Sequence, residues 1–431
     1  MTSILLFVFY LLGFSYWLYR WGKKSLPDNR WLQRILLPAF FFRVAVGLFF
    51  AYYTRKLPGN DYWRLFGQSG EETGWLLHDT PRFFYRDILD NNGYQGSPFK
   101  SFFYKNGDNF YFNDLKDNLI IKFNAILNVF SGCNYYVNVL IASFLVIVSL
   151  LGLAKVLGYW LRPASRWTVF AVLLLYPPLV LWTSNIQKDL FSLILVSVIL
   201  FTYGFRKQKM GWVRFLYGSI CFSAVMLLLL MKNYMAMILV GCLWMKWLAK
   251  PALPRFPQRF LLLAGSCFLL FYVSSFFPSS LDFPLLLARK QHGFYEIAGA
   301  QPIPSIALSG SVGSYLQNLP NAVMNCFFFP LSRGLLGERV GWIGLLTCLF
   351  SLLLTFCAVR FPAKNGICKN PFFLTVSAFC LFNYLLIGES VAYYGALLRY
   401  RSIPETFFCV LLLQCIDFDK IKLLCINKKI I

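Results

Sequence analysis

The residues of this chain best suited to chemistry are an aspartate and a few basic groups beside long apolar segments. Asp61 stands in PGNDYWRLFGQSGEE, directly after the apolar, aromatic segment 35–54, which is long enough to cross a bilayer. A carboxylate at the outer end of a span can act as a general base on a hydroxyl or help to hold a divalent metal. The alternative is a Pro-Gly-Asn-Asp turn in which Asp61 only caps a helix that starts at Tyr62.

A second candidate segment is YPPLVLWTSNIQKDLF, residues 176–191, where two apolar segments meet. Ser184 or Asn185 is predicted to cap the helix that follows. A helix N-terminus with Lys188 beside it suits a phosphate group. The alternative for Lys188 and Asp189 is an ordinary charge pair at the membrane interface.

A third candidate segment is GESVAYYGALLRYRS, residues 388–402, which is predicted to be a short tip on the same outer side. It carries Glu389, Arg399 and Arg401. Arginine forks match phosphate oxygens, and positive charge on the outer side is unusual unless the protein uses it.

Lys232, Lys290 and Arg333 are weaker candidates on the same predicted side, and each is expected to be a solvated or snorkelling side chain. Glu71 and Glu72 follow Asp61 by ten and eleven residues. Arg43 lies inside the second apolar segment and is therefore expected to face other helices, with a structural ion pair as the alternative to a function. Motifs of zinc proteases, P-loop ATPases, serine hydrolases and dinucleotide-binding enzymes are missing from the sequence.

The composition excludes an ordinary soluble protein. Of the 431 residues, 58% are hydrophobic and 14% are charged. The formal charge of +23 would suggest nucleic acid in a soluble chain. Here the basic residues lie mostly in short gaps between apolar segments, which is typical of a membrane protein.

The apolar segments predict an all-α, polytopic transmembrane helical bundle of about eleven spans in a single domain. The predicted spans are 3–19, 35–53, 134–154, 166–182, 188–205, 212–231, 233–249, 260–277, 339–359, 371–387 and 403–416.

The distribution of charge predicts the orientation of these spans. Alternate gaps hold more than half of the 41 Lys and Arg, so their side is predicted to be cytoplasmic, with the N-terminus outside and the C-terminus inside. The outer side then carries a first loop at 55–131, with surface helices, and a second loop at 278–338. Apolar residues repeat at helical spacing within 118–131, which predicts an amphipathic surface helix.

Several segments together resemble a known family. They are PGNDYWRLFGQSG, NLIIKFNAILNVFSGCNYYVNVL, YPPLVLWTSNIQKDLF, QNLPNAVMNCFFFPL and LLRYRSIPETFF. An acidic residue after a span, then a surface helix and many further spans, resembles the C-type glycosyltransferases. These are integral-membrane enzymes that use polyprenyl-phosphate sugars. The chain also resembles a group of bacterial membrane proteins of this kind that is typical of Bacteroidetes.

The resemblance implies a hexosyltransferase of the bacterial cytoplasmic membrane. The enzyme would move a sugar from a polyprenyl-phosphate donor to a glycan, lipid or protein acceptor of the cell envelope. It implies that Asp61 is the catalytic residue and that Lys188, Arg399 and Arg401 bind the donor phosphate. Glu71, Glu72, Asp189, Glu389 and Arg333 are possible supporting residues. The family also suggests a divalent metal, Mg or Mn, but Asp61 stands without the adjacent acidic residue that is common there.

Three alternatives remain open at this point. A transporter or flippase for a lipid-linked sugar would place charged residues at mid-membrane depth. An enzyme like the O-antigen polymerases would rely on later outer arginines such as Arg333, Arg399 and Arg401. A non-catalytic scaffold protein would not need Asp61.

Overall fold

The computed structural model describes most of the chain as helix. The described residues are 2–25, 30–57, 60–89, 110–160, 166–206, 208–248, 256–277, 282–296, 303, 305–331, 341–363 and 370–421. Within these ranges there is no β-strand, and an isolated bridge joins Pro362 and Ile416. The all-α prediction is therefore confirmed for the described part of the chain.

The chain divides into two compact units. Unit 1 contains residues 1–157 and 173–233, and unit 2 contains residues 158–172 and 234–431. The helices up to the end of unit 1 are α1 (Thr2–Ser25), α2 (Arg30–Arg55), α3 (Asp61–His78), α4 (Thr80–Leu89), α5 (Phe110–Ser131), α6 (Tyr135–Trp160), α7 (Arg166–Leu175), α8 (Pro177–Thr183), α9 (Lys188–Arg206) and α10 (Gly211–Met231). The later helices are α11 (Asn233–Leu248), α12 (Phe256–Val273), α13 (Phe283–Tyr295), α14 (Val312–Phe328), α15 (Gly341–Arg360), α16 (Pro371–Ser390) and α17 (Tyr394–Cys415).

Seven helices of the described residues are long and apolar enough to cross a membrane. They are Ser3–Ser25, Arg30–Arg55, Tyr135–Gly158, Lys188–Arg206, Gly211–Met231, Trp342–Arg360 and Phe372–Ser390. Each overlaps one of the eleven predicted spans, so the chain has the helices expected of a membrane-embedded protein.

The other four predicted spans differ from the structure to different degrees. The span at 166–182 is wrong as a single helix, because α7 ends at Leu175 and α8 begins at Pro177. Proline lacks the amide hydrogen that a helix interior needs and disfavours helical geometry in the residue before it. The segments 233–249 and 260–277 contain shorter apolar helices, at Asn233–Trp244 and Gly265–Phe276. Segment 403–416 belongs to α17, and whether these three segments cross the membrane stays a prediction.

Burial separates central helices from peripheral ones. Only 6% of the most apolar window of α1 is buried inside the structure, against 67% for both α6 and α16. Side chains on α1 such as Leu5 and Phe9 are exposed although they are large and apolar. In a membrane such a surface faces lipid. Hence α6 and α16 are the most buried of the seven candidate spans.

The predicted outer loops contain helices. In the first loop, α3, α4 and α5 account for every described residue of 61–131 except Asp79, and α5 includes the predicted amphipathic helix 118–131. The rest of that loop, 90–109, lies outside the described residues. The second predicted loop, 278–338, contains α13 and α14, and its place outside the membrane stays a prediction. Asp282 and Ser311 start these helices by accepting hydrogen bonds from Leu285 N and Ser314 N.

Candidate functional site

The candidate site begins where α3 starts. Asn60, not Asp61, is the N-cap, because its side chain accepts a hydrogen bond from Tyr62 N at 2.9 Å. Asp61 is the first residue of the helix, and its side chain is 70% exposed. The capping role considered for Asp61 is therefore wrong, and the carboxylate is left at the positive end of the helix dipole.

Asp61 is the end of a chain of ion pairs that joins three helices of unit 1. Arg64 Nη2 lies 3.2 Å from Asp61 Oδ1 and 3.2 Å from Asp117 Oδ2. Lys188 Nζ lies 2.8 Å from Asp117 Oδ1. We call Asp61, Arg64, Asp117 and Lys188 the ion chain. Through it, two residues that the sequence predicted separately, Asp61 and Lys188, belong to one cluster.

Packing of the aromatic side chains of α3 fixes the position of the ion chain. Trp63 Nε1 donates to Ala51 O near the end of α2 at 3.0 Å, and the Arg55 guanidinium lies 5.3 Å from the centre of the Trp63 ring. Tyr135, at the start of α6, packs against the Trp63 ring at a centroid distance of 4.7 Å. Asp61 and Arg64 are thus held beside the ends of two candidate spans.

Buried polar contacts join α3 to α5, which carries Asp117. Asn128 Nδ2 donates to Ser69 Oγ at 3.0 Å and to Thr73 Oγ1 at 3.1 Å. Asn138 of α6 donates to Asn128 Oδ1 at 2.8 Å. All four side chains are buried. Because buried polar groups are costly without partners, this network fixes how the three helices pack.

A third basic residue, Lys116, lies near the ion chain. Lys116, half-buried on α5, is close enough to Lys188 that burial and repulsion by Lys188 lower the pKa of Lys116. Burial alone would lower the pKa of Arg64 as well, but its hydrogen bonds and attraction to Asp61 and Asp117 outweigh burial and raise the pKa. Among the described side chains, three basic groups therefore lie near two carboxylates, a balance that favours an added anion.

Lys188 and Asp189 are adjacent in the chain but pair with different residues: Lys188 with Asp117 and Asp189 with Lys232. Asp189 is 1% exposed and pairs with Lys232, which follows the end of α10 and is 7% exposed. The acid lies at the N-terminal end of α9 and the base at the C-terminal end of α10, as both helix dipoles favour. The prediction of Lys232 as a solvated or snorkelling residue is wrong.

The segment before Lys188 is buried instead of forming an exposed tip. Thr183 to Gln187 are all buried, and a Cβ on Gly47 of α2 would lie 2.6 Å from Ser184 O. Neither predicted cap is found, since Ser184 Oγ donates to Val180 O and Asn185 Oδ1 has no hydrogen-bond partner among the described residues. Tight packing on α2 decided the course of this segment.

Arg43 is buried and faces the interior of unit 1, as predicted. Its Nη1 donates to Thr183 O at 3.0 Å and to Thr183 Oγ1 at 2.7 Å. Nε and Nη2 find no hydrogen-bond partner within the described part of the chain. The contacts are to neutral oxygens at the end of α8, so the structural ion pair considered for Arg43 is not found there.

The two glutamates of α3 do not contact Asp61. Glu72 is buried and pairs with Lys122 at 2.9 Å. Lys122 also donates to Phe83 O and lies 4.4 Å from the Phe83 ring centre. Glu71 is exposed. Glu72 thereby holds α3, α4 and α5 together, while a supporting role for either glutamate in catalysis stays a prediction.

Most of the predicted outer tip at 388–402 is helical, and its position on the outer side stays a prediction. α16 ends at Ser390 and α17 begins at Tyr394, so Glu389 lies in the first helix and Arg399 and Arg401 lie in the second. Glu405, one turn beyond Arg401, lies 3.2 Å from its Nη2 atom. An oppositely charged side chain four residues on allows the helix to continue through the arginines.

The Arg401 side chain is buried in the interior of unit 2. Its side chain is 1% exposed, that of Glu405 is 4% exposed, and Nη1 donates to Cys326 O at 2.9 Å. These contacts favour a structural role. Phosphate binding by Arg399 and Arg401, and their meeting with Asp61 and Lys188, stay predictions because the arginines belong to unit 2 and the ion chain to unit 1.

Glu389 belongs to a buried network that fixes an extended segment of unit 2. Its Oε2 accepts from Asn318 Nδ2 at 2.8 Å, and its backbone oxygen accepts from Gln291 Nε2 at 3.0 Å. Asn318 and Gln291 in turn accept from Ile306 N and Leu308 N, both at 2.8 Å. The backbone amides of this extended segment thus donate to side chains, where those of a β-strand would donate to a neighbouring strand.

The remaining candidates concern Arg333, Lys290 and the metal. Arg333 lies outside the described residues. The Lys290 ammonium group lies 4.6 Å from the ring centre of Tyr234 and 5.0 Å from that of Tyr400. In the described ranges no group of three His, Cys, Asp or Glu could hold a metal ion. Asp61 and Asp117 both contact the same Arg64 nitrogen. Because this guanidinium already lies between the two carboxylates, they do not form a site that fits a divalent metal.

Sequence reasoning missed Arg64, Lys116 and Asp117. Arg64 follows Asp61 by three residues, a spacing that places two side chains on one helix face, so the first ion pair had a local signal. Asp117 is separated from Arg64 by 53 positions. No local pattern gives the partner of such a residue.

Comparisons with known proteins add no relative. A scan against protein-family models gives no match, and searches of the curated proteins and of the solved structures give no significant match.

Proposed function

We propose that the chain is a membrane glycosyltransferase that moves a sugar from a polyprenyl-phosphate donor to a cell-envelope acceptor. The supporting observation is the ion chain, in which an exposed carboxylate and a cluster of basic groups meet beside the ends of apolar helices. A transferase of this kind needs a base for the acceptor hydroxyl and cations for the phosphate leaving group. The ion chain contains both.

In the proposed reaction, Asp61 takes the proton of the acceptor hydroxyl. The acceptor oxygen forms a bond to the anomeric carbon while the bond between that carbon and the phosphate oxygen breaks. Lys188, Arg64 and Lys116 stabilise the charge that returns to the polyprenyl phosphate. Displacement from the face opposite the leaving group inverts the anomeric centre. No step is assigned to a metal, because the described residues around Asp61 do not form a donor set that fits one.

The test is sugar transfer by an Asp61→Asn variant in membranes. Membranes carrying the wild-type chain receive radiolabelled polyprenyl-phosphate glucose, mannose or galactose, and label in envelope glycans is measured. We expect the variant to lose about 10²- to 10⁴-fold in rate, the usual contribution of a general base. Asp79→Asn is the matched control, because Asp79 is an exposed acid that caps α4 through Arg82 N and is not part of the ion chain.

Equal amounts of wild type, Asp61→Asn and Asp79→Asn in their membranes would show that the lower rate comes from the missing carboxylate and not from less protein. Full transfer by Asp61→Asn would contradict the proposed mechanism, and transfer by none of the wild-type preparations would contradict the proposed donor class.

A second candidate function is transport of a lipid-linked sugar across the membrane. Arg43 in α2, Glu389 in α16 and the pair Arg401–Glu405 in α17 are buried ionisable groups within helices. Such groups are costly in a bilayer and often mark a transport pathway. A fluorescent polyprenyl-phosphate hexose in liposomes tests this function. Movement between leaflets that survives Asp61→Asn, with no transfer in the first test, would favour transport.

A further inference from the structure

Asp117 occupies the two basic groups that a phosphate would need. One of its oxygens lies 2.8 Å from Lys188 Nζ and the other 3.2 Å from Arg64 Nη2. Its side chain is 27% exposed. Proteins hold phosphate oxygens in the same arrangement, with one oxygen bound by a guanidinium and another by an ammonium. The carboxylate therefore stands where a phosphate group would stand.

The surrounding charge favours a stronger anion than a carboxylate. Lys116 lies close to Lys188, and burial together with that repulsion lowers its pKa. Free phosphate and the polyprenyl phosphate released by transfer carry up to two negative charges and more acceptor oxygens than Asp117, whereas the diester phosphate of the sugar donor carries one charge. The released phosphate would thus reduce the repulsion between the two lysines more than the single carboxylate does.

The ion chain is also easy to rearrange. Side-chain exposures of Arg64, Asp61, Asp117 and Lys188 range from 27% to 70%. Exposed ion pairs contribute little to stability, because water and salt replace them readily. Breaking them therefore needs no change in the packing of α3, α5 and α9.

We propose that Asp117 is an internal competitor that fills a phosphate-binding site formed by Lys188 and Arg64 until a phosphate group displaces it. When Arg64 turns to the phosphate, Asp61 loses its hydrogen bond from Arg64, and its carboxylate is open to the acceptor hydroxyl. Binding of the donor phosphate thereby makes the base accessible to the acceptor. This inference rests on the proposed function for the roles of Lys188 and Asp61, but anion binding can be measured without sugar transfer.

The experiment measures phosphate binding by the full chain in nanodiscs of zwitterionic phosphatidylcholine, which has no net charge. One arm titrates inorganic phosphate and the other incorporates C55 polyprenyl phosphate. Asp117→Asn removes the competing charge and keeps the size of the side chain. We therefore expect each probe that binds the wild type to bind this variant about fivefold more tightly. Lys188→Gln should weaken binding about fivefold or more on the same reasoning.

Two control variants make the test specific. Asp117→Glu keeps the charge and should bind close to the wild-type affinity. Asp79→Asn removes an exposed acid outside the ion chain and should leave affinity unchanged. Thermal unfolding of each variant shows that it is folded. Weaker or unchanged binding by folded Asp117→Asn overturns the inference, as does binding of neither probe to the wild type or to Asp117→Asn.

The two arms distinguish the source of the phosphate. Binding of both probes identifies a site for free or lipid-linked phosphate, and binding of C55 polyprenyl phosphate alone identifies a lipid site. Tighter binding by Asp117→Asn, with no sugar transfer by the wild type, supports the competitor and contradicts the proposed function. Sugar transfer that depends on Asp61, with phosphate binding unchanged in Asp117→Asn, supports the proposed function and contradicts the role of Asp117 as a competitor.

Discussion

The ion chain of unit 1 and the Arg401–Glu405 pair of unit 2 use the same chemistry in opposite surroundings. The side chains of the first are 27% to 70% exposed, and those of the second are 1% and 4% exposed. An exposed pair contributes about 0–1 kcal/mol, whereas removing one partner of a buried pair costs about 3–5 kcal/mol. The difference teaches that the first cluster is suited to exchanging partners and the second to holding helices.

The same contrast occurs between two neighbouring residues. Lys188 points its charge to the exposed ion chain, while Asp189 is buried against Lys232. Successive residues at the start of a helix face different directions, about 100° apart for 3.6 residues per turn. One helix end therefore serves a candidate site and the packing of α9 on α10.

The largest expected effect is at the buried pair of unit 2. Arg401→Met leaves Glu405 buried without its guanidinium partner and should lower the free energy of unfolding by about 3–5 kcal/mol. Thermal and denaturant unfolding of the purified protein, followed by tryptophan fluorescence, measures the change. The double variant Arg401→Met with Glu405→Leu removes both charges and should recover most of the loss. A single variant as stable as the wild type would show that the buried pair does not hold α17.

A smaller effect is expected from the two neighbouring residues of α9. Asp189→Asn leaves Lys232 buried with a neutral partner and should cost about 3 kcal/mol of unfolding free energy. Lys188→Gln breaks only an exposed pair and should cost less than about 1 kcal/mol. The same unfolding measurement serves both variants. Equal losses would break the distinction between the exposed ion chain and the buried pair.

The smallest expected effect is a shift in the protonation of Lys116. Burial and then Lys188 lower its pKa, so Lys188→Gln should move the pKa back toward the ordinary lysine value. Lysines labelled with ¹³C-methyl groups and titrated by NMR report it, and Lys116→Arg assigns the signal. An unchanged pKa in Lys188→Gln would place the two lysines too far apart for the proposed phosphate site.

The lowered pKa also gives the sign of a pH effect. Between the pKa of Lys116 in the folded protein and the ordinary 10.5, the unfolded chain binds more protons at this residue. The contribution of Lys116 to stability therefore rises with pH through that window. Lys188→Gln should flatten this rise.

The sequence by itself determined the class of the fold and part of the candidate site. Seven of the predicted spans coincide with helices long enough to cross a membrane, because the length of an apolar segment is a local property. Burial of Arg43 followed from the cost of a charge facing lipid. The Pro-Gly-Asn-Asp turn indicated a helix that starts at Tyr62 with Asp61 as its cap, whereas the helix starts at Asp61 and Asn60 is the cap.

Only the tertiary structure decided which charged groups meet. Asp117 and Lys188 are far apart in the chain, and so are Asp189 and Lys232, yet both pairs form in unit 1. In unit 2, Glu405 keeps Arg401 inside a helix where the basic residues alone suggested an outer tip. Helix periodicity and apolar length are set by neighbours in sequence. The partner of a charge is set by how helices pack, and no single segment contains that information.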